Sequence, residues 1–234
     1  MGDPVVWLGG WASDLVCWRE SLQGLYPRRE HSFLDCHAVL EDPGLLARTA
    51  KGLGQGGTLV AWSMGSLVVH RALAEEGWNP PCRLVSASPI FAFCGEDGKS
   101  GAWPRAALMR MARRMPREKD AVLAEFWDLC RGSSQVTQEQ ETRWLDQARG
   151  YSLPALLGGL EFLGSVAVDH AALPAGGRHL FLASPLDPLA PLPQGGFPGR
   201  AWIGYARGHL PFLDHPGLLA PWLDGRSTGG DGEP

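Results

Sequence analysis

Short apolar-rich runs recur along the 234-residue chain, at residues 5–8, 31–35, 59–62, 83–88, 178–183 and 200–205. Runs of this length, bounded by Gly, Pro, Ser or Asp, read as strands buried on both faces, the mark of a parallel sheet. Helical patterns separate the early runs: about 15–24, then 45–53, then a helix that opens at Met64 and ends at Gly77, before Asn79-Pro80-Pro81. Strands joined through helices build a parallel sheet by right-handed crossovers, and such sheets bind ligands beyond the C-terminal ends of their strands.

Between residues 90 and 175 the pattern becomes helical throughout. Trp103, Ala107, Leu108 and Met111 recur at helical spacing, and Val122, Leu123, Phe126, Trp127 and Cys130 do so again, with Pro116 expected to end the first of these helices. Thr137 and Gln140 stand in capping-box positions for a third helix, and Leu153, Leu156, Leu157, Leu160 and Leu163 line one face of a fourth. The expected architecture is α/β: a core at 1–89 and 176–224 with a mostly parallel sheet of about six strands, and an inserted helical lid at 90–175 with loops at 95–101, 131–136 and 150–152. A polar, glycine-rich tail at 225–234 is expected to be disordered. Placed over the sheet edge, the insertion would wall a pocket, although simple packing accounts for most of its apolar positions.

Composition narrows the function classes. Hydrophobic residues make up 44% of the chain and charged residues 20%, the balance of a soluble globular protein, and no apolar run is long enough to cross a bilayer. A net charge of -4 gives no reason to expect nucleic acid as a partner. The strand pattern begins almost at once after Met1, leaving no room for a signal peptide, so a cytoplasmic location is expected. Five cysteines without a C-x-x-C pair suit reduced thiols rather than a disulfide frame or a zinc site; neither a structural metal nor a cofactor is expected.

Candidate chemistry sits where strands end. Ser63 lies at the corner between an apolar strand and a helix, in Ala61-Trp62-Ser63-Met64-Gly65, with small residues two before and two after it where strand and helix backbones approach closely. A serine at such a corner either caps the helix or is a nucleophile lifted above the sheet edge. A serine hydroxyl becomes a useful nucleophile when a histidine takes its proton and a carboxylate orients that histidine. Asp187 and His209 follow in order, each after a strand. The rival Asp169 with His170 lacks a strand end, and His215, before Pro216, looks like the start of the last helix. His70, inside the helix after Ser63, reads as a packed or surface histidine. The turn Gly9-Gly10-Trp11 and the residue after the serine, Met64, would supply the two backbone N–H groups of an oxyanion hole, with Trp11 as an ordinary core residue the alternative.

With these residues in place, the chain resembles an α/β-hydrolase and, within that superfamily, the pimeloyl-acyl-carrier-protein methyl ester esterases of biotin synthesis. The similar stretches are Leu8-Gly9-Gly10-Trp11, Ala61-Trp62-Ser63-Met64-Gly65, Gly158-Gly159-Leu160-Glu161-Phe162-Leu163, Leu186-Asp187-Pro188-Leu189-Ala190-Pro191 and Gly208-His209-Leu210-Pro211-Phe212-Leu213-Asp214-His215-Pro216. Gly9 stands where relatives often have histidine and Ala61 where they have glycine, and the leading antiparallel strands of many hydrolases are not represented. The resemblance implies a serine carboxylesterase with Ser63, Asp187 and His209 as its triad. It also implies that Trp11 and Trp62 flank the ester and that Phe126 lines the acyl pocket. It further implies an acidic acyl carrier protein as partner, for which Arg110, Arg113, Arg114 and Arg117, in a basic cluster with Arg105 and Lys119, would form a docking face. A solvated basic face is the alternative, and Ala121 and Glu125 stand where the family's own lid arginines fall. A general carboxylesterase or thioesterase, and a non-catalytic binding protein on the same scaffold, remain open as functions.

Overall fold

A computed structural model of the chain describes residues 3–75, 77–95, 103–174, 178–193, 196–197, 200–205, 207–215 and 217–223. The expected tail at 225–234 and most of the expected loop at 95–101 lie outside the described residues. The first half alternates strand and helix: β1 (Pro4–Leu8), a 3-10 turn at Val16–Trp18 running into α1 (Arg19–Leu25), β2 (Glu30–Leu34), α2 (Cys36–Glu41), α3 (Gly44–Leu53), β3 (Thr58–Trp62), α4 (Met64–Glu75) and β4 (Arg83–Ala87). The short α2 is absent from the apolar pattern because its signal is a cap: the Asp35 side chain accepts the His37 N–H. A two-strand pair, β5 (Cys94–Gly95) and β6 (Trp103–Pro104), leads into α5 (Arg105–Arg131), α6 (Gln138–Gly150) and α7 (Leu153–Ser165). The chain closes with β7 (His179–Ala183), β8 (Ala201–Gly204), α8 (Pro211–Asp214) and α9 (Ala220–Leu223).

The main sheet has six strands in the order β2-β1-β3-β4-β7-β8, and every pairing in it is parallel. All five residues of β3 and of β7 are buried, as a strand covered on both faces requires. The register matters for function. Leu8 pairs with Ala61 and Trp62 with Ala87, while Leu182 pairs with Ala87 and Gly204 with Ala183. The residues after each strand, Gly9 to Ala12, Ser63, Ser88, Ser184 to Ala190 and Tyr205 onward, therefore emerge side by side at one edge.

Three details of the helical layer differ from the sequence expectation. Trp103 belongs to the strand pair rather than to a helix. Pro116 does not end its helix: α5 continues to Arg131 and bends at Glu118 (φ -132, ψ 37). Proline removes one helical hydrogen bond and crowds the preceding turn, but Met115 and Val122, buried on either side of the bend, hold both halves against the core, so the helix kinks instead of stopping. The final helix is likewise divided into two four-residue pieces, with His215 at the C-cap of α8 rather than at a helix start. The capping box of Thr137 and Gln140 is present on α6, and Ser152 caps α7.

Candidate active site

The site is built from the corner after β3. Ser63 has φ 55, a left-handed conformation uncommon for a residue with a side chain, and its N–H donates to Ala87 O of the neighbouring strand at 3.0 Å. Ser66 braces the corner: its hydroxyl donates to Ser63 O at 2.6 Å and accepts the Ile90 N–H at 2.9 Å. Helix α4 leaves the corner so close to the first loop that a Cβ on Gly65 would lie 2.3 Å from Gly9 O, which admits only glycine there.

Three side chains distant in sequence converge at this point. The Ser63 hydroxyl lies 2.7 Å from His209 Nε2, and the opposite ring nitrogen, Nδ1, faces both Asp187 oxygens at 2.9 and 2.8 Å. All three are closed off from solvent, with Ser63 4%, Asp187 2% and His209 0% exposed. Burial pushes the Asp187 carboxyl up, but the adjacent His209 ring and the N–H groups of Ala190 and Leu189, both donating to Oδ1 at 2.9 Å, outweigh it and hold the group below the usual carboxylate range. The acid is thus kept ionised beside the imidazole.

Residues without a strong sequence signal hold His209 in place. Its carbonyl accepts from the Trp62 indole N–H at 2.8 Å and from the Ser88 hydroxyl at 3.2 Å, and its N–H donates to Cys130 O, in the last turn of α5, at 3.3 Å. Ser88 also pairs with the Tyr205 hydroxyl at 2.8 Å. Ser88 has φ 47, and its place next to Ser63 is visible only in the strand register. The Trp62 side chain, expected to flank an ester, lies beside the site: its ring centroid is 5.4 Å from that of His209, and a Cβ on Gly10 would sit 2.9 Å from the indole. The indole is buried against Trp18 and Phe212, with ring centroids at 5.7 and 5.8 Å, and its polar edge is turned to the histidine backbone.

The turn after β1 lies against the serine: a Cβ on Gly10 would sit 3.1 Å from Ser63 Cβ. Trp11 follows, its indole N–H donating to Leu156 O of α7 at 2.9 Å and its ring meeting the edge of Phe126 of α5 at 4.7 Å. Met64 opens α4, so its N–H is one of the four that a helix cannot satisfy from within. The loop at residues 10–11 and the helix start thus flank the hydroxyl.

The remaining sequence candidates fall elsewhere. Asp169 caps a 3-10 turn at His170–Ala172 with its side chain 72% exposed. His70 is fully buried between Ile90 O and the Ser86 hydroxyl, each at 2.9 Å, and burial pushes its pKa down to about 4. In the basic cluster, Arg114 is spent on Glu125 at 2.7 Å and Glu118 at 2.8 Å, and Lys119 donates to the carbonyls of Arg149 and Tyr151. Arg110, Arg113 and Arg117 are exposed, with no ion pair among the described residues.

No family model and no curated protein matches the sequence. Solved structures do match in shape. An esterase from Exiguobacterium antarcticum is 15% identical, with 95% of this chain and 92% of that one covered and a TM-score of 0.79. A bromoperoxidase from Bacillus anthracis is 18% identical over 95% and 91%, with a TM-score of 0.74. An esterase from a Rhodococcus species is 20% identical over 98% and 92%, with a TM-score of 0.70. The six-stranded parallel sheet, the strained serine corner after its third strand and these likenesses together show that the chain has the α/β-hydrolase fold.

Proposed function

We propose that the protein is a serine carboxylesterase. The observation that carries this reading is the 2.7 Å contact between Ser63 Oγ and His209 Nε2, with Asp187 on the far side of the ring. In the proposed reaction His209 takes the Ser63 proton as the oxygen attacks an ester carbonyl. Asp187 orients the ring and stabilises the imidazolium. The N–H groups of Trp11 and Met64 receive the developing oxyanion, and His209 then returns the proton to the leaving alkoxide. Water enters by the same route and releases the acid. The helices α5 to α7 form the lid, with Phe126 beside Trp11 on the acyl side. Among the described residues no helix is long and apolar enough to cross a membrane, and the free thiols are in keeping with a reducing cytoplasm.

The finer proposal is that the substrate is the methyl ester of a pimeloyl chain on its acyl carrier protein, hydrolysed to free the carboxylate for biotin assembly. The motif resemblance supports it, and the exposed Arg110, Arg113 and Arg117 offer positive charge to an acidic carrier. Purified protein is expected to hydrolyse short p-nitrophenyl esters, with Ser63→Ala inactive; comparable turnover by that variant removes the reading. Rescue of a biotin auxotroph lacking its own esterase, by the parent chain and not by Ser63→Ala, tests the finer claim. A general carboxylesterase is the second reading, favoured by the commitment of Arg114 to Glu125 and Glu118; equal rates on free and carrier-bound methyl ester would select it.

A further inference from the structure

The turn that carries Trp11 is held only in part by its own residues: the Ser13 N–H donates to Gly10 O at 3.3 Å and the Leu15 N–H to Ser13 Oγ at 3.2 Å. Ala12 and Leu15 both have positive φ, 57 and 64, which costs a residue with a Cβ about 1 kcal/mol or more, and contacts from outside the turn add to what holds it there. Two residues of α2 supply the restraint. Cys36 donates its thiol to Gly10 O at 2.9 Å, and His37 Nε2 accepts the Ala12 N–H at 3.3 Å. These contacts bracket Trp11 on either side. Cys36, His37 and Asp35 bring a thiol, an imidazole and a carboxylate within 4.8 Å of one another, the ligand types of a metal site. Each is already engaged: the thiol is fully buried and pushed well above its ordinary range, and Asp35 caps its own helix.

Helix α7 presses on the same turn from above. The Trp11 indole donates to Leu156 O, and a Cβ on Gly159 would lie 2.6 Å from Trp11 Cδ1 and 2.7 Å from His37 Cε1. The helix can lie this close only because Gly159 has no side chain. Its neighbour Gly158 meets nothing within 4 Å, so the two adjacent glycines differ in what they permit. Burial pushes the His37 imidazole down to about 4, with Glu41 and then the Ala155 backbone working against it, which leaves Nε2 free to accept at neutral pH.

We infer that His37 and Gly159 are positioning residues: acting through the turn at Gly10 to Ala12, they set the Trp11 N–H against Ser63, so that closure of α7 onto Trp11 completes the oxyanion hole. This rests on the esterase reading above. Neither residue touches the substrate. Their effect is on a donor whose removal in a comparable site costs about 100- to 1,000-fold in kcat, so displacement of that donor is expected to cost less, about 10- to 100-fold.

The test compares His37→Leu, His37→Gln and Gly159→Ala with the parent, on folded protein judged by circular dichroism. Readouts are kcat and KM for a p-nitrophenyl ester and the inhibition constant of a trifluoromethyl ketone, which forms an oxyanion adduct with the serine. His37→Leu and Gly159→Ala are expected to lower kcat about 10-fold or more and to weaken the ketone in proportion, with KM within about 2-fold. His37→Gln, whose Oε1 replaces Nε2 as acceptor, is expected to recover most of the loss. Equal damage from Leu and Gln at position 37 would mean that packing alone matters and overturns the inference. If His37→Leu does not fold, Gly159→Ala decides, since it keeps every hydrogen-bonding group; parental kcat and ketone affinity in that variant overturn the inference. A parent protein without Ser63-dependent turnover removes the esterase reading and this inference with it, whereas an active parent beside an unaffected Gly159→Ala removes this inference alone.

Discussion

The sheet edge and the helical layer above it are held by different forces. At the edge, directional hydrogen bonds fix each group: two ring contacts and two backbone N–H groups on Asp187, and an indole, a hydroxyl and a carbonyl on the His209 backbone. In the helical layer, aromatic faces meet: Trp127 stacks on Trp144 at 5.0 Å and approaches Trp18 at 6.3 Å, while charged side chains pair outside at half-exposed positions. Area-driven packing tolerates small shifts, whereas a hydrogen bond weakens steeply with angle. Substitutions at the edge should therefore appear as lost rate, and those in the layer away from the Gly159–Trp11 contact as lost stability.

The largest expected effect is at the edge. Asp187→Asn keeps the shape but cannot hold the required tautomer of His209, and kcat on a p-nitrophenyl ester should fall about 10,000-fold with KM little changed. A loss under tenfold would break the comparison, because the carboxylate would then be a packing group. Trp127→Ala, at a ring buried to 1% exposure, should cost about 3–5 kcal/mol in urea unfolding while leaving kcat of the folded fraction far less affected. A large drop in kcat without a stability change would show that Trp127 acts on the chemistry as well.

A pH scan sharpens the contrast, since the titration of the buried histidines outside the triad is linked to unfolding of the chain. His37 and His70 are both pushed by burial from 6.5 down to about 4. The unfolded chain therefore takes up protons first. Stability from these sites is complete above about pH 6.5, declines as pH falls toward about 4, and changes no further below that. His70 alone should contribute on the order of 3 kcal/mol to the decline, measured as the difference in urea unfolding free energy between pH 7.5 and 4. His70→Asn should flatten that dependence; an unchanged slope would place the acid sensitivity elsewhere. The smallest effect is expected for Arg114→Ala, because pairs at this exposure are screened by water: the melting temperature should scarcely move. A marked fall would mean that the Glu118 bend of α5 depends on that pair.

Strand positions, the sharp serine corner and the order of Ser63, Asp187 and His209 were legible in the sequence because each follows from a local cause: an apolar run of strand length, small residues where backbones approach, a polar residue after a strand. The capping box of Thr137 and Gln140 on α6 was legible for the same reason, whereas the Asp35 cap of the short α2 was not. What required the tertiary structure was every feature set by a neighbour distant in sequence. Pro116 kinks a helix instead of ending it because Met115 and Val122 are packed on both sides of the bend. The Trp62 indole finds its acceptor in the carbonyl of His209, 147 positions away, and Ser88 reaches the triad only through the pairing of β3 with β4. His37 and Gly159, 122 positions apart, meet at Trp11 by an approach that neither residue's own surroundings encode. Local chemistry fixes what a segment can become, whereas the partners of its side chains depend on which distant surfaces are buried together.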